Sequence, residues 1–181
     1  MSDECWTTPP VRPPTGAELR ALGHPTRLRI VRLCRDTALT NQELAARLKL
    51  APATVLRHVR ALAQAGFLAA EPVRTGARGA LEKPYRATDL SLRLAWDAAA
   101  APGLLQQVEI ALLHAYRTEL IEAGPAAIRD QIRGTLRLPA PARQEFQRRL
   151  RALLDEFTVD TDDPAAEPLS FLWMLHAAPP G

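Results

Sequence analysis

Residues 40–66 run from Thr40-Asn41-Gln42-Glu43 to Ala65-Gly66, and the rest of the chain is organised around them. Thr40 followed by Glu43 has the spacing of a capping box, in which the hydroxyl accepts from the Glu43 amide and the carboxylate reaches back to the Thr40 amide. Leu44, Ala45 and Leu48 give the helix that starts there an apolar face, and Lys49-Leu50-Ala51 interrupts it after barely two turns. Pro52 has no N–H to lose at a first helical position, so it opens a second helix, which Gly66 is placed to end.

On this second helix Val55, Val59 and Leu62 recur at i, i+4, i+7 and point one stripe inward, while Thr54, Arg57 and Arg60 project elsewhere. A short helix, a turn and a second helix with cations on its outer side is what a helix-turn-helix needs to enter a major groove and reach base edges and phosphates. An ordinary helical hairpin with a solvated charged face satisfies the same pattern.

With 181 residues, 47% of them hydrophobic, the chain can bury a real core in one large or two small domains. No apolar run reaches the ~18 residues of a membrane span, and the N-terminus lacks a basic region followed by an apolar stretch, so a cytoplasmic protein is expected. Cys5 and Cys34 are too few for a disulfide framework. The net charge is +3, yet residues 1–90 hold 14 Lys and Arg against 8 Asp and Glu, and residues 91–181 hold 9 against 12. Basic charge gathered around the helical pair suits a phosphate surface, and an acidic second half suits a protein or small-molecule contact.

Residues 1–16 are Pro-rich and read as a flexible arm containing Cys5, Trp6 and Arg12, the last within reach of DNA if the arm extends that way. A short helix over 17–22 ends at His24-Pro25, and a second runs to about Arg35 with Leu28, Ile30, Val31, Leu33 and Cys34 inward. Cys34 reads as a small buried hydrophobe. After Gly66 the period changes: residues 67–74 and 81–88 read as two strands around a Gly-containing tip, a β-hairpin in which Pro72 and Pro84 demand an edge position. With Arg74, Arg78, Lys83 and Arg86 on or near it, this hairpin forms a basic wing.

Leu22-Gly23-His24-Pro25-Thr26-Arg27-Leu28-Arg29-Ile30-Val31, the Leu44-Ala45 helix, Thr54-Val55-Leu56-Arg57-His58-Val59-Arg60-Ala61-Leu62 and Ala65-Gly66-Phe67-Leu68 together resemble the winged helix-turn-helix domain of the ArsR family of bacterial repressors. The resemblance spans roughly residues 17–90. It implies a homodimeric transcription factor whose recognition helix corresponds to about residues 52–65. Two departures bear on sensing. Metal-sensing members often carry a Cys-x-Cys pair where this chain has only Cys34. Others bind zinc on the helix after the wing, where His114 has Glu109 and Glu119 nearby but not at a shared-face spacing. No metal and no cofactor is expected.

Residues 89–101 are alanine-rich and read as helical up to Pro102-Gly103. Leu104, Leu105, Val108, Ala111, Leu112, Ala115, Tyr116 and Leu120 follow at helical spacing to Gly124. So strong a stripe needs a partner, either the chain's own C-terminal region or, as the resemblance implies, the same helix of a second subunit. Beyond Pro125 a strand over 132–138, a helix from Pro141 with Phe146, Leu150, Leu153, Leu154 and Phe157 inward, and a strand over 169–176 are expected. A cavity between that unit and the dimer helix would be lined by Trp96, Tyr116, Phe171, Trp173 and Met174, all of which suit a core equally well.

The expected fold is α+β and mainly helical: an arm over 1–16, a winged helix-turn-helix over 17–90, dimerisation helices over 91–124, and a strand-helix-strand unit over 125–181 that is a candidate effector domain. The expected function is a homodimeric regulator, a repressor, acting on double-stranded DNA, with a small-molecule effector as a further partner. Its DNA contacts come from Thr40, Asn41, Gln42, Ala53, Thr54, Arg57, Arg60, Arg74, Arg78 and Lys83. A winged-helix scaffold that binds protein instead is the alternative. No nucleophile motif or phosphate loop is present and His24, His58, His114 and His176 are scattered, so an enzyme is not expected.

Overall fold

The computed structural model describes residues 12–76, 79–96, 101–157, 166–167 and 169–177. They divide into two compact units, Met1–Pro125 and Ala126–Gly181. Among the described residues no helix is long and apolar enough to cross a membrane.

The first unit is built on local start signals. Helix α1 (Gly16–Leu22) opens on a capping box between Thr15 and Glu18, and α2 (Pro25–Asp36) places Pro25 in its first turn behind His24 as N-cap. Helix α3 (Asn41–Leu48) begins at the expected Thr40 and Glu43 box. It ends at Lys49, whose φ of 54° is left-handed and turns the chain towards α4 (Pro52–Gln64). Such a conformation costs a residue with a Cβ roughly 1 kcal/mol. The Leu50 amide repays part of that by donating to the Ala45 carbonyl at 3.1 Å.

Val55, Val59 and Leu62 of α4 are fully buried with Ile30 of α2, Leu44 of α3 and Phe67 beyond. Burying side chains of this size is worth ~1.5 to 3 kcal/mol each. Gly66, at φ 84°, takes the chain out of α4 with little room beside it, a Cβ there standing 3.4 Å from Leu90.

The wing is more broken than alternation suggests. Strand β1 (Leu39–Thr40), which the sequence did not signal, pairs antiparallel with β5 (Pro84–Ala87), and β5 pairs on its other side with β2 (Leu68–Ala70). Leu39 lies opposite Tyr85, and Ala69 opposite Arg86. Strands β3 (Arg74–Thr75) and β4 (Leu81–Glu82) form a separate two-stranded ribbon. Residues 71–73, including Pro72, and Lys83 interrupt the expected continuous strands. Pro84 is not at an edge as expected, because β5 is the central strand. It is tolerated as that strand's first residue, and its carbonyl still accepts from the Glu71 amide at 3.0 Å.

The expected helix over 89–101 is a 3-10 turn, Asp89–Arg93, as far as Leu94; residues 97–100 lie outside the described part. Backbone groups that a helix would use go instead to Arg12: its amide donates to the Arg93 carbonyl at 3.1 Å and its carbonyl accepts from the Ala95 amide at 2.8 Å.

Helix α5 (Pro102–Ala123) packs on α1 and α2 through Val108, Ala111 and Ala115, all buried. At its far end Arg32 Nε meets Glu119 at 2.8 Å and Arg29 pairs with Glu122, fastening α5 to α2. Much of the apolar stripe assigned to a second subunit is therefore consumed inside the unit.

Among its described residues the second unit contains one α-helix, α6 (Ala140–Phe157), none of whose residues is buried. Phe146 lies against Trp173, with ring centroids 5.7 Å apart. Arg148 and Arg149 hold Glu145 at 2.7 Å and keep its carboxyl at about 2. The strands expected over 132–138 and 169–176 are not formed among the described residues. Alternation states which face a strand would bury and supplies no partner strand; Ile132 is 91% exposed and Phe171 62%.

Candidate nucleic-acid interface

Because one face of α4 is locked into the core, its other face has to point outward. Ala53, Arg57 and Arg60 are exposed there, and Thr54 is partly buried at its edge. Arg57 and Arg60 hold no carboxylate among the described residues, unlike Arg12, Arg29, Arg32, Arg74, Arg86 and Arg93. Gln42 is exposed in the first turn of α3. Asn41 beside it is committed in part, since its Nδ2 donates to the Pro52 carbonyl at 3.1 Å and clips the start of α3 to the start of α4.

Thr40 does not belong with these outward groups. It is 4% exposed, its hydroxyl accepts from the Glu43 amide at 3.2 Å and its amide donates to the Glu43 carboxylate at 2.7 Å. The cap that made this residue recognisable consumes the atoms a phosphate would need. Arg12 is likewise taken out of the DNA arm: its guanidinium donates to both oxygens of Glu18, one at 2.9 Å, and holds that carboxyl at about 2.

On the wing, Arg74 donates to Glu43 at 2.7 Å and reaches Glu82 at 3.4 Å, which ties β3 to α3. Burial lowers the pKa of Arg74, but these two carboxylates outweigh it and leave the pKa raised. Lys83 is exposed, with its ammonium 5.8 Å from the centre of the Tyr85 ring. Arg86 pairs with Glu71 and also donates to the Asp36 carbonyl at 3.1 Å. Arg78 lies outside the described residues.

Reading the sequence missed a pair of imidazoles at the base of this surface. His58 of α4 stacks against His24, ring centroids 4.6 Å apart. His24 Nδ1 accepts from the Thr26 amide at 3.1 Å, so the ring caps α2 only while that nitrogen is unprotonated. Burial, and then the charge of Arg27, lowers the His24 pKa; burial, His24, Arg27 and Arg57 lower that of His58. The two residues are 34 apart in the chain, and no spacing could have paired them.

The aromatic set proposed for an effector falls in both units. Trp96 packs partly buried against the core of the first, its Nε1 donating to the Ser91 carbonyl at 3.3 Å, and Tyr116 is partly buried on α5. In the second unit Trp173 meets Phe146, Phe171 is exposed and Met174 is partly buried. Among the described residues no three His, Cys, Asp or Glu side chains gather as a metal site. Cys34 is fully buried, which pushes its thiol up to about 11.

Residues 22–70 match a protein family described as a helix-turn-helix domain. No curated protein matches the chain. Among solved structures it is similar to reduced HlyU from Vibrio cholerae, at 20% identity over 52% of this chain and 80% of that one, with a TM-score of 0.34. An ArsR-like transcriptional regulator from Rhodococcus is 19% identical over 78% of this chain and 93% of that one, with a TM-score of 0.34. ZitR from Lactococcus lactis is 19% identical over 74% and 82% of the two chains, with a TM-score of 0.32.

Proposed function

Because residues 22–70 match a helix-turn-helix domain and the motifs of the chain resemble those of ArsR-like winged helix-turn-helix regulators, we propose that it is a homodimeric repressor that docks α4 in the major groove. The observation that carries this reading is the pair Arg57 and Arg60, exposed and without carboxylate partners on a helix whose opposite face is immobilised by Val55, Val59 and Leu62. A rigid helix with uncommitted cations loses little side-chain pairing when it meets phosphate. In this reading Arg57 and Thr54 reach base edges or adjacent phosphates, Arg60 and Gln42 contact phosphates, and Lys83 lies along the flanking backbone together with Arg74 once that guanidinium is released from its carboxylates. The C-terminal unit takes the effector role, its exposed Phe171 and Trp173 offering a small apolar molecule a stacking surface.

Selection of bound sequences from a random duplex library, followed by gel-shift titration of native chain and Arg57→Ala, tests the reading. An enriched sequence is expected, with the variant binding it more weakly by ~1 to 3 kcal/mol. A protein-binding scaffold would enrich nothing and show no affinity for random duplex at low salt.

A further inference from the structure

His58 lies at the edge of α4, beside the fully buried Val59 and one turn before the fully buried Leu62, so a shift of its ring is a shift of the helix. The ring it rests on is that of His24, which caps the start of α2. The charged groups that bear on this partly buried pair are cations, Arg27 of α2 and Arg57 of α4. Arg27 is fixed in place, since its guanidinium donates to the Ala21 carbonyl and, at 2.7 Å, to the Arg20 carbonyl. On the other elements packed against α4, Glu18 of α1 is held by Arg12, Glu43 of α3 by Thr40 and Arg74, and β2 carries no charge. Asp36 lies at the opposite end of α2 from His24. Among the described residues no carboxylate is paired with either ring.

A proton arriving here meets no anion. In neutral His24, Nδ1 accepts from the Thr26 amide at 3.1 Å and Nε2 carries the hydrogen, so the next proton goes to Nδ1 and displaces that amide. A proton on His58 instead sets a third cation against Arg27 and Arg57. Either way the contact between the rings turns from packing into repulsion. Resting on the reading that α4 docks in DNA, we propose that His24 and His58 form a proton-operated latch on that helix. While neutral they hold the edge of α4 against the start of α2 in the orientation that binds duplex. A proton taken up by the pair releases that edge and weakens binding. An added positive charge near DNA would by itself tighten binding, so the latch and simple charge attraction differ in sign.

Two measurements on the full chain at about pH 7.5 and about pH 5 test this, at a temperature where near-UV circular dichroism shows the chain folded at both. Hydrogen exchange of the α4 amides, corrected for intrinsic rates, is expected to lose about fivefold in protection at the lower pH. The loss is absent in His58→Gln and in His24→Asn, which keeps a capping oxygen and does not titrate. Fluorescence anisotropy, with the most enriched duplex of the library selection or random-sequence duplex at low salt, is expected to show affinity falling about fivefold over the same interval. His114→Gln, which alters an exposed histidine of α5, keeps that fall, and the two latch variants lose it. Protection that is unchanged by pH, or that falls equally in the variants, overturns the latch while the regulator reading stands. So does binding that tightens in acid or weakens as much in the variants. A chain that binds neither duplex at either pH overturns the regulator reading and the latch's control of binding with it.

Discussion

The imidazoles of His24 and His58 lie 4.6 Å apart and tilted by 44°, joining the N-cap of α2 to the helix proposed to enter DNA. Both are held neutral, chiefly by burial, with Arg27 and Arg57 adding to the effect. A histidine whose folded pKa is depressed takes up protons more readily when unfolded. Stability is therefore complete above the ordinary value of 6.5 and is lost as pH falls through it. Thermal unfolding followed from pH 8 to pH 5 is expected to show a drop in Tm below about pH 6.5 that is smaller in His58→Gln. An equal drop in the variant would show that the pair does not set this dependence.

Glu18 acts in the opposite part of the scale. Its carboxyl accepts from Arg12, from the Thr15 amide at 2.7 Å and from the Thr15 hydroxyl at 2.9 Å, and stands at about 2 rather than 4.5. Its contribution is present above about 4.5 and disappears as pH falls towards 2. Glu18→Gln keeps an acceptor but loses the charge, and is expected to cost ~1 kcal/mol near neutral pH and progressively less in acid. Urea denaturation at pH 7 and pH 3 measures both.

Lys49 holds a left-handed conformation at φ 54°, where glycine is free of the Cβ clash. Lys49→Gly is expected to leave stability unchanged or raise it by up to ~1 kcal/mol, against the usual loss when glycine enters a chain. A loss above ~1 kcal/mol in urea denaturation would show that the lysine side chain, not its backbone, matters at this turn.

These cases divide what the amino-acid order made legible from what it did not. The Thr40 and Glu43 box, Pro25 and Pro52 at helix starts and the Val55, Val59, Leu62 stripe are local patterns, each set within about two turns of one helix, and each appears in the fold. Lys49 carried no sign of its backbone conformation because the residue types that mark a left-handed turn are absent there. Strand β1 is two residues long, too short to show alternation, and exists only through its pairing with β5. The same dependence works in reverse at 132–138, where alternation is present and the partner is missing. For the candidate interface, composition identified the arginines but not their commitments. What separates Arg57 and Arg60 from Arg12 and Arg74 is side-chain pairing with carboxylates six, eight and 31 residues away, which no residue type announces.

The last of those commitments makes a testable case. Arg74 can reach a phosphate only by leaving Glu43 and Glu82, so in the free protein these two carboxylates compete with DNA for it. Glu43 also caps α3, and replacing it would confuse the result, whereas Glu82 lies on the exposed ribbon. Glu82→Gln is expected to tighten binding to duplex DNA by roughly two- to tenfold and to steepen its salt dependence, with Lys83→Ala flattening the dependence by about one phosphate contact. Removing any negative charge near DNA helps binding somewhat, so the decisive comparison is made in an Arg74→Ala background. If the Glu82 effect acts through Arg74, most of the gain vanishes there. If the gain persists in full, Arg74 makes no phosphate contact and remains a structural link between the wing and α3.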